Sequence, residues 1–298
     1  MTSFALIPRP SFLPSFTRWS ALRDQRIAMT GHRGTLGRLL YTSLHECGNT
    51  PKTYPGDITN SSELKAWIAL VRPSLFFHLA AIVPVAQVQA EPAAAMRVNA
   101  AANLGLVEAL ACHAPDSWLF HASTSHVYSL RPLDHTTPHL VAEEESCAPA
   151  SFYGATKLAG ECILRPLAAR LGLRACIGRI FSYFHEQQAK TFLVPALRQR
   201  IAQTPAGGVL EVNDATSVRD LLPAECIVDA ILYLAATRYV GTLNIGSGHG
   251  LAVGEVAARL VRLAHKSIKI NGIVSPHAGA LVANVHRLRA AIDQVREH

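Results

Sequence analysis

The sequence predicts an α/β protein with a doubly wound parallel sheet and a smaller, discontinuous lobe in its C-terminal half. Three observations support this prediction. Apolar strands alternate with amphipathic helices over most of the 298 residues, a pattern typical of parallel sheets covered by helices. A turn with glycine at every third position joins the first strand to the first helix. Tyr153 and Lys157 follow, four residues apart, in a later helical segment.

The first strand, turn and helix have the form of a phosphate-binding unit. Arg26–Met29 predicts a short strand, and Thr35–Leu44 predicts a helix with leucines at spacings of three and four. Gly31 permits a tight turn, Gly34 lets backbone N–H groups approach a pyrophosphate, and Gly37 allows close helix packing. The alternative is an ordinary glycine-rich turn. The turn residues predicted to bind a dinucleotide are Gly31, His32, Arg33, Gly34, Thr35, Leu36 and Gly37.

The charge pattern near this turn favours NADP(H) over NAD(H). NAD-binding folds of this kind usually carry an acid about 20 residues after the turn, whereas NADP requires a cation for its 2′-phosphate. The stretch Asn49–Pro55 contains no acid and offers Lys52. Arg33 is the second candidate, because a guanidinium binds phosphate with two hydrogen bonds. A solvated turn arginine is the alternative interpretation of Arg33.

The middle of the chain predicts the rest of the sheet. A helix over Asn60–Arg72 is capped by Asn60 and stopped by Pro73, and the apolar strand Leu75–Ala81 follows. Met96–Cys112 predicts an alanine-rich helix, and Trp118–Ala122 the next strand. The remaining predicted elements are helix Ser151–Leu171, strand Leu173–Ile180, helix Ala224–Ala236, strand Thr242–Ile245 and a helix beginning near Val253.

Tyr153, Lys157 and Thr124 are the candidate proton-transfer residues. Positions i and i+4 share a face of a helix, so Lys157 can lie beneath the same ligand that the Tyr153 hydroxyl contacts. A free phenol has a pKa of about 10, and a fixed cation nearby lowers it by about 1–3 units. Thr124 follows a predicted strand at the edge where open α/β sheets bind ligands. The alternative is an exposed helix face with a partly buried tyrosine.

Together these residues resemble the extended short-chain dehydrogenase/reductases, in the nucleotide-sugar epimerase, dehydratase and reductase branch. The resemblance covers about residues 26–290. It implies that Thr124 holds a sugar oxygen, that Tyr153 moves the proton, and that Lys157 binds the nicotinamide ribose and tunes Tyr153. The motifs that carry it are Thr30-Gly31-x-x-Gly34-x-x-Gly37, Asp57, His78-Leu79-Ala80-Ala81, Asn99, Thr124, Tyr128, Tyr153-x-x-x-Lys157, Arg219-Asp220 and Asn244-x-Gly246.

The resemblance also implies further cofactor contacts. Asp57 is expected to contact adenine, Ala80 and Ala81 to line the cofactor channel, and Asn99 to support the active-site helix. From the residues alone, Asp57 is equally a turn or cap residue, and Asn99 a helix-surface amide. The expected cofactor set is completed by Ile58, Leu79 and Ile180.

Departures from the family pattern narrow the reaction. The similar 4,6-dehydratases carry Thr-Asp-Glu, whereas this chain has Thr124-Ser125-His126 and lacks both acids. The glycine turn resembles that of GDP-fucose synthases, which reduce with NADPH and epimerise with a Cys and a His. His126 falls on the Cys position and Phe192 on the His position. NADP(H)-dependent reduction of a 4-keto(-6-deoxy) nucleotide sugar is therefore favoured, with His126 as an acid-base group or a neutral lining residue.

Two other functions stay open. An NAD-dependent nucleotide-sugar 4-epimerase uses the same triad, and a non-catalytic dinucleotide-binding protein would share the fold. The predicted organisation is an N-terminal extension (1–25), a Rossmann domain (26–181 and 221–246) and a substrate lobe (182–220 and 247–298). A homodimer through the Rossmann helices is one assembly that we consider. The expected contacts to the nucleotide-diphosphate sugar are Ser125, His126, Ser182, Phe192, Val194, Arg219 and Glu255.

Composition agrees with a globular, anion-binding enzyme. Hydrophobic residues make up 49% of the chain, and the formal net charge is +7, which favours anionic ligands. The basic residues are scattered, which argues against nucleic acid. The six cysteines show no metal-binding spacing and indicate reduced thiols of a cytosolic protein. Neither a signal peptide nor a membrane span is expected. Residues 1–25 could pack on the lobe, cover the cofactor or be disordered.

Overall fold

A computed structural model describes residues 6–17, 19–83, 85–133, 139–276 and 278–296. Within these ranges the chain forms a six-stranded sheet flanked by helices, and a smaller region of mixed sheet with two helices. The predicted fold class is therefore confirmed. No helix in the described ranges is long and apolar enough to span a membrane.

The six-stranded sheet is entirely parallel and has the order β10-β6-β4-β3-β1-β2. The chain runs outward from β1 to β2 and then returns to the other side of β1 with β3. This reversal opens a crevice at the carboxyl ends of β1 and β3, where such sheets bind ligands. The strands are β1 Ile27–Thr30, β2 Lys52–Thr53, β3 Leu75–His78, β4 Trp118–Thr124, β6 Arg174–Ile180 and β10 Gly241–Ile245.

Helices cover both faces of this sheet, because consecutive residues of a strand point to opposite faces and both are apolar. Phe76 belongs to the core beneath α3, α6 and α7, whereas Phe77 belongs to the core beneath α2, α9 and α11. Such continuous apolar runs are typical of strands buried on both faces. The helices are α2 Thr35–Glu46, α3 Ser61–Val71, α6 Ala102–His113, α7 Phe152–Arg170, α9 Ala224–Thr237 and α11 His286–Arg296.

Most predicted helix boundaries are confirmed to within two residues. Asn60 caps α3, its side chain accepting the Glu63 backbone N–H at 3.3 Å. The single helix predicted over Met96–Cys112 is wrong in detail, because a π-helical segment at Arg97–Ala101 precedes α6. The shorter helices nearby are α1 Ser20–Arg23, α4 Val85–Ala90 and α5 Pro92–Met96.

The smaller lobe is built around α8 and α10 and two further sheets. Its core includes Val194 and Leu197 of α8 together with Val256 and Leu260 of α10. One sheet has the order β11-β9-β13-β5, with β7 also paired to β9, and the other pairs β12 with β8. The elements are β5 Leu140–Val141, β7 Ser182–Phe184, α8 Leu193–Gln203, β8 Val209–Asn213, β9 Val218–Pro223, β11 Gly250–Ala252, α10 Val253–Leu263, β12 Lys269–Ile273 and β13 Ala280–Ala283.

Two parts of the chain pack differently from the simplest two-lobe division. Helix α11, which lies in the segment predicted to belong to the substrate lobe, contacts α9 and β10 and buries Leu288 and Ile292 in the Rossmann core. Leu13 and Phe16 of the N-terminal extension are buried in the same core. The aromatic ring of Phe16 therefore packs on the Rossmann core, whereas the packing that we considered from the sequence placed the aromatic residues of the extension on the smaller lobe.

Candidate active site

The turn between β1 and α2 has the steric features of a phosphate cradle. Gly31 has a φ of +73°, and a Cβ there would lie 2.5 Å from the backbone nitrogen of Ala80. A Cβ on Gly37 would collide with the carbonyl oxygen of Gly31, so α2 packs directly on the turn. Gly34 is the N-cap of α2 and supplies no side-chain cap. The first N–H groups of α2 are thus left for an anion, which fits a dinucleotide pyrophosphate.

Two cations lie near the position expected for the adenosine ribose. Arg33 in the turn and Lys52 on β2 are both exposed, and Lys52 pairs in register with Ala28 of β1. Asp57 accepts the backbone N–H of Thr59 at 2.9 Å, and this hydrogen bond lowers the pKa of its carboxyl group. Asp57 therefore acts as a turn residue here, and its contact with adenine stays a prediction. Ile58, the next residue, is buried in the core beneath α3, α6 and α7.

Asn99 joins the loop after β3 to the active-site helix. Its Oδ1 accepts the Ile82 backbone N–H at 2.8 Å, and its Nδ2 donates to the Ile82 carbonyl at 2.9 Å. The same Nδ2 donates to Thr156 Oγ1 on α7 at 3.0 Å. In the same loop the Ala80 N–H donates to Thr30 Oγ1 at 3.3 Å. The loop Leu79–Ala81 is therefore held between β1 and α7, along the crevice of the sheet.

Thr124, Tyr153 and Lys157 meet at the carboxyl end of β4. Thr124 ends that strand, and its side chain lies close enough to the Tyr153 hydroxyl to act on the pKa of that phenol, while its Oγ1 accepts the His126 backbone N–H at 3.2 Å. The Ser151 hydroxyl accepts the Gly154 N–H at 3.1 Å, which caps α7 immediately before Tyr153. All three candidate groups are buried, and Lys157 is only 2% exposed. The chain thus brings together the three residues that the sequence singled out.

Burial has the largest effect on the charge states of Tyr153 and Lys157. It raises the pKa of Tyr153, although the Thr124 hydrogen bond opposes the shift. Burial also lowers the pKa of Lys157 to about 8, while the Glu161 carboxylate opposes that change. The lowering of the Tyr153 pKa that we expected from Lys157 is not found: burial is the largest influence on this pKa, and Lys157 is not among the groups that shift it. Tyr153 is neutral near pH 7 and carries the proton that an acid must donate.

Glu161 and Arg179 form a buried ion pair that sequence reasoning missed. Glu161 lies one turn beyond Lys157 and is fully buried. It accepts from Arg179 Nη2 at 2.8 Å and from Arg179 Nε at 3.2 Å, and it also accepts the Ser123 hydroxyl. Arg179 Nη1 donates to the Tyr128 hydroxyl at 2.7 Å. Two charges in otherwise apolar segments were the available signal, because buried charges are normally paired.

His126 lies beside Tyr153, and Arg219 lies near enough to His126 to influence its pKa. The His126 ring meets the Tyr153 ring edge to face, with 5.7 Å between centroids. Burial, and secondly the Arg219 charge, lower the pKa of His126, so its imidazole is neutral near pH 7. Arg219 donates to the carbonyls of Val218 at 3.0 Å and Gly279 at 2.9 Å. Its Nη2 also donates to the Asp214 carboxylate at 3.4 Å, and these contacts together orient the guanidinium.

The other predicted substrate contacts differ in their surroundings. Ser182 begins β7 and is half-buried, and Phe192 is the half-buried N-cap of α8. Val194 packs in the core of the smaller lobe with 2% exposure, so it supports the cleft from within and does not line it. Glu255 is exposed and pairs with Arg259 one turn away at 2.7 Å, as expected for a helix-surface acid.

Two more of the predicted residues lie beside Thr124. Ser125 directly follows Thr124 and is buried. Ile180 of β6 pairs in register with Thr124. Tyr183 of β7, which sequence reasoning missed, interacts electrostatically with Tyr153 and is hydrogen-bonded to the Gln188 side chain. Burial raises the pKa of Tyr183 to about 12. A second neutral phenol therefore lies near that of Tyr153.

Comparisons with known proteins agree with this arrangement. The family model described as GDP-mannose 4,6 dehydratase matches residues 27–295. The chain belongs to the extended short-chain dehydrogenase/reductases. This family contains NAD(P)-dependent enzymes that epimerise, dehydrate or reduce nucleotide sugars, and the chain is an enzyme of this type. The prediction from the sequence motifs is thus confirmed at the level of the family.

Individual relatives include both epimerases and reductases. The chain is 29% identical over 262 residues to UDP-glucose 4-epimerase from Rhizobium meliloti (strain 1021), covering 80% of this chain and 76% of that protein. It is 35% identical over 140 residues to dTDP-4-dehydrorhamnose reductase from Mycolicibacterium smegmatis. That alignment covers 46% of this chain and 40% of the reductase, so the chain aligns with less than half of that relative.

Solved structures show the same fold. RMD from Pseudomonas aeruginosa, complexed with NADPH, superposes with a TM-score of 0.78 at 24% identity, covering 90% of this chain and 92% of that one. UDP-glucose 4-epimerase from Thermus thermophilus, in complex with NAD, gives 0.75 at 20% identity, covering 89% and 92%. At these identities the likeness establishes the architecture alone.

Proposed function

We propose that this enzyme reduces a 4-keto(-6-deoxy) nucleotide sugar with NADP(H). The observation that carries the proposal is the buried arrangement of Thr124, Tyr153 and Lys157 at the carboxyl end of β4. A hydroxyl pair next to a lysine is suited to protonating an oxygen while a neighbouring carbon receives a hydride. The dinucleotide, when bound, supplies that hydride.

The roles of the three residues follow from their contacts. The Tyr153 phenol is neutral near pH 7, since a phenol ordinarily has a pKa of about 10 and burial raises that of Tyr153 further, so it has a proton to donate to the oxygen of the ketone. Thr124 lies beside that phenol, and its hydroxyl is proposed to hold the same oxygen. Lys157, whose pKa is lowered to about 8, still carries its charge for the most part near pH 7. This charge favours the negative oxygen that forms as the hydride arrives.

The choice of NADP(H) is supported by the charges beside the glycine turn. Arg33 and Lys52 are exposed and free to meet a 2′-phosphate, and Asn49–Pro55 supplies no acid for a ribose 2′-hydroxyl. A guanidinium and an ammonium both bind phosphate by charge-assisted hydrogen bonds. NADPH is therefore the proposed reductant.

Simple reduction is favoured over dehydration or epimerisation at carbons next to the ketone. Ser125 and His126 stand where the dehydratases resembling this chain have two acids, and Phe192 stands where GDP-fucose synthases have a histidine. The His126 imidazole is neutral near pH 7, and its ring centroid lies 5.7 Å from that of Tyr153. A single imidazole, with a phenylalanine at the position of the second acid-base residue, cannot exchange protons at two carbons in turn.

The substrate is proposed to be a nucleotide-diphosphate sugar. Arg219 lies near His126 and is oriented by two backbone carbonyls and the Asp214 carboxylate, so its guanidinium is preorganised for a diphosphate. The half-buried Ser182 and Phe192 are the other groups proposed for this ligand. An overall charge of +7 favours such an anion in general.

One observation favours a second candidate, a nucleotide-sugar 4-epimerase. The relative with 29% identity over 262 residues is a UDP-glucose 4-epimerase. Such an enzyme would use the same triad and a retained NAD, and it would return the hydride to the other face of the ketone. It would also turn over without net consumption of reductant.

An isotope experiment separates these candidates. The enzyme is incubated with a 4-keto-6-deoxy nucleotide sugar in two reactions, one in D₂O with unlabelled NADPH and one in H₂O with NADPH that carries deuterium on the transferred position. We expect stoichiometric oxidation of NADPH, deuterium from the cofactor at C4, and no enzyme-dependent exchange at C3 or C5. A reaction without enzyme corrects for spontaneous exchange.

Each other result identifies a different reaction. Catalysed exchange at C3 or C5 would mean that His126 or another base removes carbon-bound protons, and the enzyme would be an epimerase-reductase. Interconversion of 4-hydroxy epimers without NADPH oxidation would identify the 4-epimerase. Binding of the dinucleotide with neither reaction, over a panel of nucleotide sugars, would contradict both proposals.

A further inference from the structure

Residues 6–17 contact both parts of the molecule and lie outside the region shared with the family, which begins at residue 27. The segment has no helix or strand of its own, yet four of its apolar side chains are buried. An irregular segment gives up conformational freedom when it is ordered, so these contacts must offset an entropic cost at every residue of the segment. The two ends of the segment are anchored in different cores.

The first end is anchored in the smaller lobe. Leu6 and Ile7 are 2% and 7% exposed. They belong to the apolar cluster that contains Phe184 of β7 and Val194 of α8. Val194 lies two residues after Phe192, the N-cap of α8 and a proposed substrate contact. This end of the segment therefore supports the helix start that borders the substrate cleft.

The second end is anchored in the Rossmann core. Leu13 is fully buried there, and Phe16 packs edge to face on Tyr233 of α9 with 5.0 Å between ring centroids. The Tyr233 hydroxyl donates to the Ser15 carbonyl at 3.2 Å. On the neighbouring helix α11, the Arg289 guanidinium lies over the Phe12 ring at 4.5 Å. Two helices of the Rossmann domain thus hold residues 12–16.

Asp229 of α9 fixes the segment between its two ends. One carboxylate oxygen accepts from Arg9 Nη1 at 2.6 Å, and the other accepts the Phe16 backbone N–H at 2.9 Å. Arg9 Nη1 also donates to the Leu13 carbonyl at 3.3 Å. The Asp229 side chain is 14% exposed, so this ion pair is more protected from solvent than an ordinary surface pair. Residues 9 and 16 are consequently both bound to Asp229 of α9.

We propose that residues 6–17 form a brace that positions α8 of the substrate lobe against the Rossmann domain. The proposal rests on the proposed function, because it assigns to Leu6, Ile7 and Arg9 an indirect effect on nucleotide-sugar binding through Phe192. These are positioning residues and do not touch the substrate. The brace holds the lobe in its binding arrangement before the ligand arrives, which reduces the ordering cost of binding.

The test compares variants of the full chain by amide hydrogen exchange and by kinetics. The brace variants are Leu6→Ala with Ile7→Ala, and Arg9→Ala. The controls are Leu6→Met, which keeps an apolar side chain of similar size, and Ser11→Ala at an exposed position of the same segment. Exchange is followed in α8 and, for comparison, in α2, which packs in the Rossmann core and not in the core that holds Leu6 and Ile7. NADPH affinity is measured by fluorescence titration.

We expect amides of α8 to exchange about tenfold faster in both brace variants. Exchange in α2 should be unchanged, because α8 can open locally while the Rossmann domain stays folded. KM for the keto sugar should rise about five- to tenfold while kcat and NADPH affinity stay within about twofold. Both controls should behave as the original chain does.

The exchange and NADPH measurements need no nucleotide sugar, so they decide the proposal even if the proposed reaction is wrong. Unchanged exchange in α8 would overturn the brace. Equal acceleration in α8 and α2, or a parallel loss of NADPH affinity, would show that the segment only adds overall stability. Faster exchange in α8 with an unchanged KM would show that the brace orders the lobe without positioning the substrate site.

Discussion

The charge of Lys157 depends on groups from several elements that surround it. It is buried beside two imidazoles, His78 and His121, whose pKa values its charge helps to lower, and the Glu161 carboxylate one turn away raises its own pKa. Glu161 in turn is held by Arg179 at 2.8 Å. A negative charge fixed in this position keeps Lys157 mostly protonated near neutral pH, although burial alone would lower its pKa further.

Replacing Tyr153 by Phe removes the proposed proton donor with little change of shape. We expect turnover of a 4-keto nucleotide sugar to fall at least about 100-fold, the scale of general acid catalysis, while NADPH affinity changes only a few-fold. Steady-state kinetics and NADPH titration measure the two effects. Tyr41→Phe on α2 is the matched control and should retain full activity. Near-normal turnover in Tyr153→Phe would remove Tyr153 from the mechanism.

Arg33→Ala tests the proposed preference for NADPH. Loss of a charge-assisted phosphate contact should cost about 1.5–3 kcal/mol, or about 10- to 150-fold in affinity. We expect this loss for NADPH and little change for NADH, because only NADPH carries the 2′-phosphate. Arg38→Ala, an exposed arginine on α2, controls for general charge. Equal losses for both cofactors, or tighter binding of NADH by the original chain, would identify Arg33 as a solvated turn residue.

Sequence reasoning found residues whose meaning depends on local spacing. Tyr153 and Lys157 lie on one helix face, and the glycines of the turn act within a few residues, so both arrangements could be predicted. Pairs such as Glu161 with Arg179 are 18 positions apart and belong to different elements, α7 and β6. No local pattern specifies such a contact, since it depends on how α7 packs on the sheet.

At the scale of elements, α7 reaches the site because two of its residues lack side chains. A Cβ on Gly154 would collide with the His126 carbonyl oxygen, and a Cβ on Gly160 would lie 2.5 Å from the Asn99 carbonyl oxygen. The first contact brings the start of α7 against the segment after Thr124. The second brings its middle against the π-helical segment Arg97–Ala101. Neither glycine was singled out from the sequence, because both close approaches depend on partners distant in the chain.

Gly160→Ala tests this packing. Alanine favours a helix by about 1 kcal/mol over glycine, but here its methyl group would strike backbone, and overpacking costs about 1–3 kcal/mol or more. We expect lower stability in urea and reduced turnover, since α7 must move away from Asn99. Gly254→Ala on α10, whose nearest contact would be 3.3 Å, is the control and should change both far less. Unchanged stability and turnover in Gly160→Ala would show that the helix contact is not critical.

At the scale of the whole molecule, the alternation of strands and helices was sufficient to predict the Rossmann sheet. The smaller lobe was harder, because its short strands pair with segments far apart in the chain: β13 pairs with both β5 and β9. The packing of α11 on α9 and of the N-terminal segment on the Rossmann core also joins distant parts of the sequence. These contacts bury ordinary apolar residues, which carry no information about their partners.

The pH dependence of stability is a property of the whole molecule that depends on two buried histidines. His78 is hydrogen-bonded to Thr30 Oγ1 at 2.7 Å, and its ring lies 5.3 Å from that of His121. Burial lowers the pKa of His78 to about 3 and that of His121 well below 6.5. Within the described residues, neither ring nitrogen of His121 has a hydrogen-bond partner. Both rings are therefore neutral in the folded protein.

We predict that His121→Phe reduces the loss of stability in acid. Below about pH 6.5 the unfolded chain binds a proton at each histidine that the folded chain refuses, so the free energy of unfolding decreases as pH falls, by up to about 1.4 kcal/mol per pH unit for each group. The His121→Phe variant lacks one of these protons in its unfolded state. Urea unfolding between pH 7 and pH 4.5 should give a shallower slope for His121→Phe than for the original chain, whereas His45→Gln at an exposed position should change the slope less. Identical slopes for His121→Phe and the original chain would mean that His121 takes up its proton in the folded state, which requires a partner for the imidazolium within the Rossmann core.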